Sequence, residues 1–137
     1  MHRHGVERLL SVYNHWVKEV GSEGLRRLIP DPGALAYNLP PAINREKVMR
    51  YHCRGQAFFL GGKVGNYDAV LPMDSLEDLP RLVSEKCEVP LEDLPPMDRR
   101  NSRKYDVNIT DEERLRLEAF TAYDTLVGWD GATKIIT

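Results

Sequence analysis

Residues 1–16 read Met1-His2-Arg3-His4-Gly5-Val6-Glu7-Arg8-Leu9-Leu10-Ser11-Val12-Tyr13-Asn14-His15-Trp16. From Val6 onward the apolar positions recur at helical spacing. Val6, Leu9, Leu10, Tyr13, Val17 and Val20 share one face, and Trp16 widens it. The pattern predicts a helix over 6–20, stopped by Gly21 or Gly24. Arg3 stands just before this helix, Arg8 one turn inside it and Ser11 one turn further. A cation and a hydroxyl about a helix start form a plausible anion site, because the first amide N–H groups there have no intrahelical partner. Taken by itself the signal is weak. Arg8 also reads as a solvated side chain, or one paired with Glu7 or Glu19, and Ser11 as a small filler.

Outward from this helix the chain alternates short helical pieces with breaks. Leu25 to Ile29 is amphipathic. Residues 30–41 hold Pro30, Asp31-Pro32-Gly33 and Pro40-Pro41 and read as an ordered surface connector. Ile43 to Tyr51 reads as a short helix. Tyr67 to Leu71 reads as a short buried strand, with its pairing ended by Pro72. Asp74 to Cys87 reads as a helix with two candidate starts. Either Ser75 caps it, or Asp78 does, with Pro80 in the first turn. Residues 90–109 are irregular and contain the basic cluster Arg99, Arg100, Arg103 and Lys104. A last helix starts at Thr110, where Glu113 completes a capping box, and stops at Gly128. Its apolar stripe is Leu115, Ala119, Ala122 and Leu126, broadened by Phe120 and Tyr123. One predicted strand needs partners for its backbone groups, and the chain offers few.

Composition sets limits on function. The 137 residues suit one domain, 42% hydrophobic and 29% charged, so the chain is globular in type. The 19 basic and 21 acidic side chains give a net charge of −2, which supplies no bulk attraction for nucleic acid. Arginine makes up 13 of the 19 cations, and its planar fork matches phosphate and sulfate oxygens. Cys53 and Cys87 lack metal or redox spacing. His2, His4 and His15 lie close in sequence without ligand spacing, so no metal is expected. No apolar run is long enough to span a bilayer. Asn108-Ile109-Thr110 is a glycosylation triplet, but Thr110 already serves as a cap.

The segment Arg3-x-x-x-x-Arg8-x-x-Ser11-x-Tyr13 resembles the 3′-phosphate-binding segment of sulfotransferases that use the sulfate donor PAPS. That family's pattern runs Arg-Asp-Pro-x-x-Arg-x-x-Ser-x-Tyr. Four further pieces follow in order. His52-Cys53-Arg54-Gly55-Gln56 is similar to the His-x-x-Pro-Gln of the carbohydrate-acting members, with Gly55 in the proline's place. Tyr67 to Leu79 resembles their strand followed by Glu-x-Leu and an acidic helix. Leu94-Pro95, with Asn101-Ser102 and Tyr105 behind it, resembles a later segment that in the family runs Leu-Pro and then Asn-x-Ser. Thr110 through Tyr123, Asp124 and Trp129 resembles the closing helix. The resemblance runs from Arg3 to about Asp130. His4-Gly5 replaces the family's Asp-Pro.

The resemblance implies an α/β, P-loop NTPase-like sulfotransferase fold, here a truncated, helix-rich C-terminal part with few strands. It implies one partial domain over 1–137. Arg3 and Ser11 would hold the 3′-phosphate of PAPS, with Arg99, Arg100, Arg103 and Lys104 as weaker candidates for the nucleotide. His52 and Gln56 would face the substrate. The reaction would be sulfuryl transfer to a hydroxyl acceptor, a carbohydrate by family type, without a metal. The family's 5′-phosphosulfate loop and catalytic base precede the equivalent of Arg3. Gly61-Gly62-Lys63 lacks the Ser/Thr and spacing of such a loop. The chain alone is therefore expected to transfer little sulfate. The alternative is a non-catalytic, degenerate relative serving as a binding or interaction module. Partners follow accordingly: the nucleotide donor, the acceptor and, through exposed apolar surface, a possible second copy, with no nucleic acid. A bacterial-type parent implies a cytoplasmic protein, and an animal-type parent a Golgi enzyme facing the lumen.

Overall fold

A computed structural model of the protein describes residues 5–97, 107–129 and 135–136. The first helix forms where the periodicity puts it. Helix α1 (Gly5–Val12) runs directly into a π-helical segment (Tyr13–Glu19). The register widens where the buried Asn14 Nδ2 donates to the Leu10 carbonyl at 2.9 Å and competes with the backbone ladder. The Val20 amide then donates to His15 O at 3.1 Å. One extra residue in the turn redirects His15, Trp16 and Glu19 relative to α1. The segment ends at Glu19, and Gly21 lets the chain leave it closely, since a Cβ there would collide with the Val17 carbonyl.

Ser22 caps α2 (Glu23–Leu28) by accepting from the Leu25 amide. The next element departs from expectation. The connector predicted over 30–41 is mostly helix. Asp31 Oδ1 accepts from the Ala34 amide at 2.9 Å, Pro32 opens a 3₁₀ turn (Pro32–Ala34), and α3 (Leu35–Arg45) follows with Pro40 and Pro41 inside it. The two prolines forgo bonds to the Ala36 and Tyr37 carbonyls. Burial of Leu35, Leu39 and Ala42 offsets that loss, at about 2 kcal/mol for each leucine. Helix α4 (Lys47–His52) packs on α3, and α5 (Gln56–Leu60) follows after the Arg54–Gly55 joint.

The strand predicted over 67–71 shrinks to β1 (Ala69–Val70), which pairs antiparallel with β2 (Ile135–Ile136). The helix predicted over 74–87 divides into a 3₁₀ stretch (Met73–Asp78) and α6 (Leu79–Cys87), with Pro80 in the first turn. Asp78 takes the N-cap position with helical backbone angles, but its side chain makes no cap bond there. Thr110 caps α7 (Asp111–Phe120) with both bonds of the capping box present. Thr121 then breaks the helix, its Oγ1 bonding the Leu117 and Glu118 carbonyls, before α8 (Ala122–Leu126). The main core lies among α1, the π segment, α2, α3, α4 and α7 and includes Leu9, Val17, Leu25, Leu35, Met49 and Leu117.

The expected α/β, P-loop-like fold is not what forms. The protein is mostly helical (71%), and its described strands are one pair of two residues each. A P-loop-like fold rests on a parallel sheet of several strands covered by helices on both faces. Here the one strand-like run, Tyr67–Leu71, is confined between the Val64–Asn66 turn and Pro72. Packing is instead helix on helix. No described helix is long and apolar enough to cross a membrane.

Candidate functional site

The buried centre of the site is Arg8 and Asp124. Helix α1 carries Arg8 toward the α4–α5 joint, where Nη1 donates to the His52 carbonyl at 3.0 Å. Nη2 lies 3.9 Å from Asp124 Oδ2, an ion pair too long for a hydrogen bond, and Nε and Nη2 are buried without a hydrogen-bond partner among the described residues. Burial lowers the Arg8 pKa, and Asp124 partly counters that. The Asp124 carboxylate is 2% exposed and accepts from the Gln56 amide at 2.8 Å and the Ala57 amide at 3.0 Å. It thereby satisfies the opening N–H groups of α5 from a distant helix. Gly55 permits this approach, since a Cβ there would stand 2.7 Å from Asp124 Oδ1. Gly5 likewise permits α1 to meet the α7–α8 break, where a Cβ would stand 2.5 Å from the Thr121 side chain.

Above this centre is an open cleft of about 610 Å³. Helix α1 contributes Arg8 and Ser11, the π segment His15, Trp16 and Glu19, and the α4–α5 region Tyr51, His52, Arg54, Gln56 and Phe59. The Trp16 and His52 rings stack at 4.1 Å and 19°. Tyr51 meets both His52 and Phe59 edge-on at 5.3 Å. His15 Nδ1 lies 3.2 Å from Glu19 Oε2 across the mouth. Partial burial lowers the His52 pKa below its ordinary value, and His15 lowers it further. Beneath the site, burial pushes the Cys53 thiol up to about 12, so it remains protonated and unreactive.

Ser11, His52 and Gln56 were singled out from sequence, and all three line this cleft. Their engagements differ. The Gln56 Nε2 donates to the Trp129 carbonyl at 2.8 Å, so its amide is committed to holding the segment after α8. The His52 ring forms wall by stacking on Trp16. Arg3, Arg99, Arg100, Arg103 and Lys104 lie outside the described residues. Arg8 pairs with Asp124 rather than with Glu7 or Glu19. Its partner was legible only as part of the closing-helix motif, and Trp16 only as a core aromatic. No group of three or more metal-ligating side chains occurs among the described residues. Neither a family model, nor a curated protein, nor a solved structure matches the chain.

Proposed function

We propose that the chain holds the nucleotide of PAPS, or of its product adenosine 3′,5′-bisphosphate, in the Ser11–Trp16–Arg54 cleft, in the service of sulfuryl transfer to a hydroxyl acceptor of carbohydrate type. The observation that carries this reading is the meeting of Ser11, on the first helix, with His52, Arg54 and Gln56 of the distant α4–α5 joint in one cleft. The Ser11 hydroxyl and the Arg54 guanidinium have the chemistry to address phosphate oxygens. The aromatic wall of Trp16, His52 and Tyr51 provides faces for a base. Arg3 enters the proposal from the resemblance of its segment, as the second phosphate contact beside Ser11. The test is calorimetric titration of the chain with adenosine 3′,5′-bisphosphate. Binding is expected, weakened about tenfold or more, roughly 1.4 kcal/mol, by Arg3→Ala, Ser11→Ala or Arg54→Ala. Equal heats for all four proteins, or no heat for the wild-type chain, would sink the reading.

A second reading, a non-catalytic binding module, draws on a different observation. His52 and Gln56 are held in structural contacts, so the cleft has the character of a receptor more than of an acid–base centre. Nucleotide binding without sulfate transfer from PAPS to a panel of sugar acceptors would favour it.

A further inference from the structure

A second groove, of about 700 Å³, opens beside the Arg54–Gly55 joint. Its floor is Cys53, Ala57 and Asp124, and its rim carries Phe58, Phe120 and Tyr123. These three rings are 62%, 43% and 63% exposed, an unusual concentration of aromatic surface on one side of a small domain. The exposed charges lining the groove are both positive. Arg54 lies over the Phe58 ring at 4.1 Å, and Arg50 donates only to the backbone carbonyls of Ile43 and Asn44. Asp124 is buried and taken by α5, so it neutralises neither at the surface. The groove therefore presents an aromatic rim with a cationic edge.

The same chain displays a segment of complementary chemistry. Residues 91–97 read Leu91-Glu92-Asp93-Leu94-Pro95-Pro96-Met97, with two carboxylates and no cation. Leu91 and Met97 are 51% and 42% exposed, and Glu92 and Asp93 also face solvent. A 3₁₀ turn (Leu91–Asp93) follows Pro90, and Pro95-Pro96 stiffens the exit, so little conformational freedom is left to lose on docking. Within one molecule the turn packs on α6, while Phe58, Phe120 and Tyr123 stay open to solvent. A face-to-face pairing of two grooves would set like charges against each other.

We infer that the groove receives the 91–97 segment of a second copy, head to tail, with Leu91 or Met97 among the aromatic rings and Glu92 and Asp93 against Arg50 and Arg54. Such a contact is heterologous and builds rings or short chains of copies. This inference does not rest on the nucleotide reading: the two grooves share Arg54 but are otherwise lined by different residues.

Sedimentation velocity of the full chain across the micromolar range tests it. The wild-type chain is expected to sediment faster as concentration rises. Arg54→Glu alone and Glu92→Arg alone are expected to weaken association at least about tenfold, and an equimolar mixture of the two to recover a heavier species, since the reversed groove meets the reversed segment. Both substitutions are at exposed positions, and circular dichroism checks that each variant is folded. A wild-type chain that stays monomeric throughout overturns the inference. So does association that survives both substitutions unchanged, which would assign it to another surface such as that around Leu126, and so does a mixture no heavier than its components.

Discussion

At the scale of single residues, Asp124 ties three parts of the protein together. Its oxygens close the N-terminus of α5, its charge faces the buried Arg8, and its carbonyl accepts the Trp129 amide. Removing it leaves a buried guanidinium uncompensated and two amides unsatisfied. Asp124→Ala is expected to lower stability by about 3–5 kcal/mol, read from urea denaturation. Asp124→Asn, which keeps an acceptor oxygen, is expected to lose less. Two equal, sub-kilocalorie losses would contradict the role given to the carboxylate. His52 offers a second test. Its pKa lies below the ordinary 6.5, with burial as the first cause and His15 the second. Below neutrality the unfolded chain therefore binds a proton that the folded one resists, and stability falls on acidification. The urea midpoint is expected to drop between about pH 7.5 and about pH 5, and His52→Gln to reduce that drop. Ser11, His52 and Gln56 were singled out in the sequence through motif resemblance, and the fold brings them to one cleft. Arg8 and Asp124 were not legible as a pair, because sequence pattern gives no measure of distance between helices so far apart in the chain.

At the scale of elements, legibility followed local chemistry. The α7 start was fixed by Thr110 and Glu113, whose reciprocal bonds need only neighbouring residues. Thr110→Ala is expected to cost about 1 kcal/mol, measured as a shift in the denaturation midpoint. No measurable shift would mean that packing alone holds this end. Helix α3 was hidden by Pro40-Pro41, since the usual reading of a proline pair is a break, and only burial of Leu35 and Leu39 reverses it. The inward face of the closing helices was also misread. Periodicity pointed Leu115 and Leu126 inward, yet they are 65% and 83% exposed. The buried face is Leu117, Thr121 and Asp124, two of them polar and inside because their hydrogen bonds are satisfied there. The π turn at Tyr13–Glu19 had no sequence signal beyond Asn14 within an apolar helix. That turn is what places Trp16 against His52.

At the scale of the whole molecule, helices pack on helices, and the described residues hold one short β ribbon. Helical content was visible in the spacing of apolar residues. The α/β expectation came from resemblance alone, and the described residues do not form it. Two grooves flank the Arg54–Gly55 joint, one with stacked aromatic rings, arginines and a serine, the other apolar with a cationic edge. Arg54 lines both, but Ser11 and Trp16 belong to the first and Phe120 and Tyr123 to the second, which makes the central claim open to a direct spatial test. The measurement is an amide and indole chemical-shift titration of the isotope-labelled chain with adenosine 3′,5′-bisphosphate. The predicted result is saturable shifts centred on Ser11, the Trp16 indole and Arg54, with little change at Phe120 or Tyr123. Shifts confined to the second groove, or a spectrum unmoved by the nucleotide, would contradict the claim.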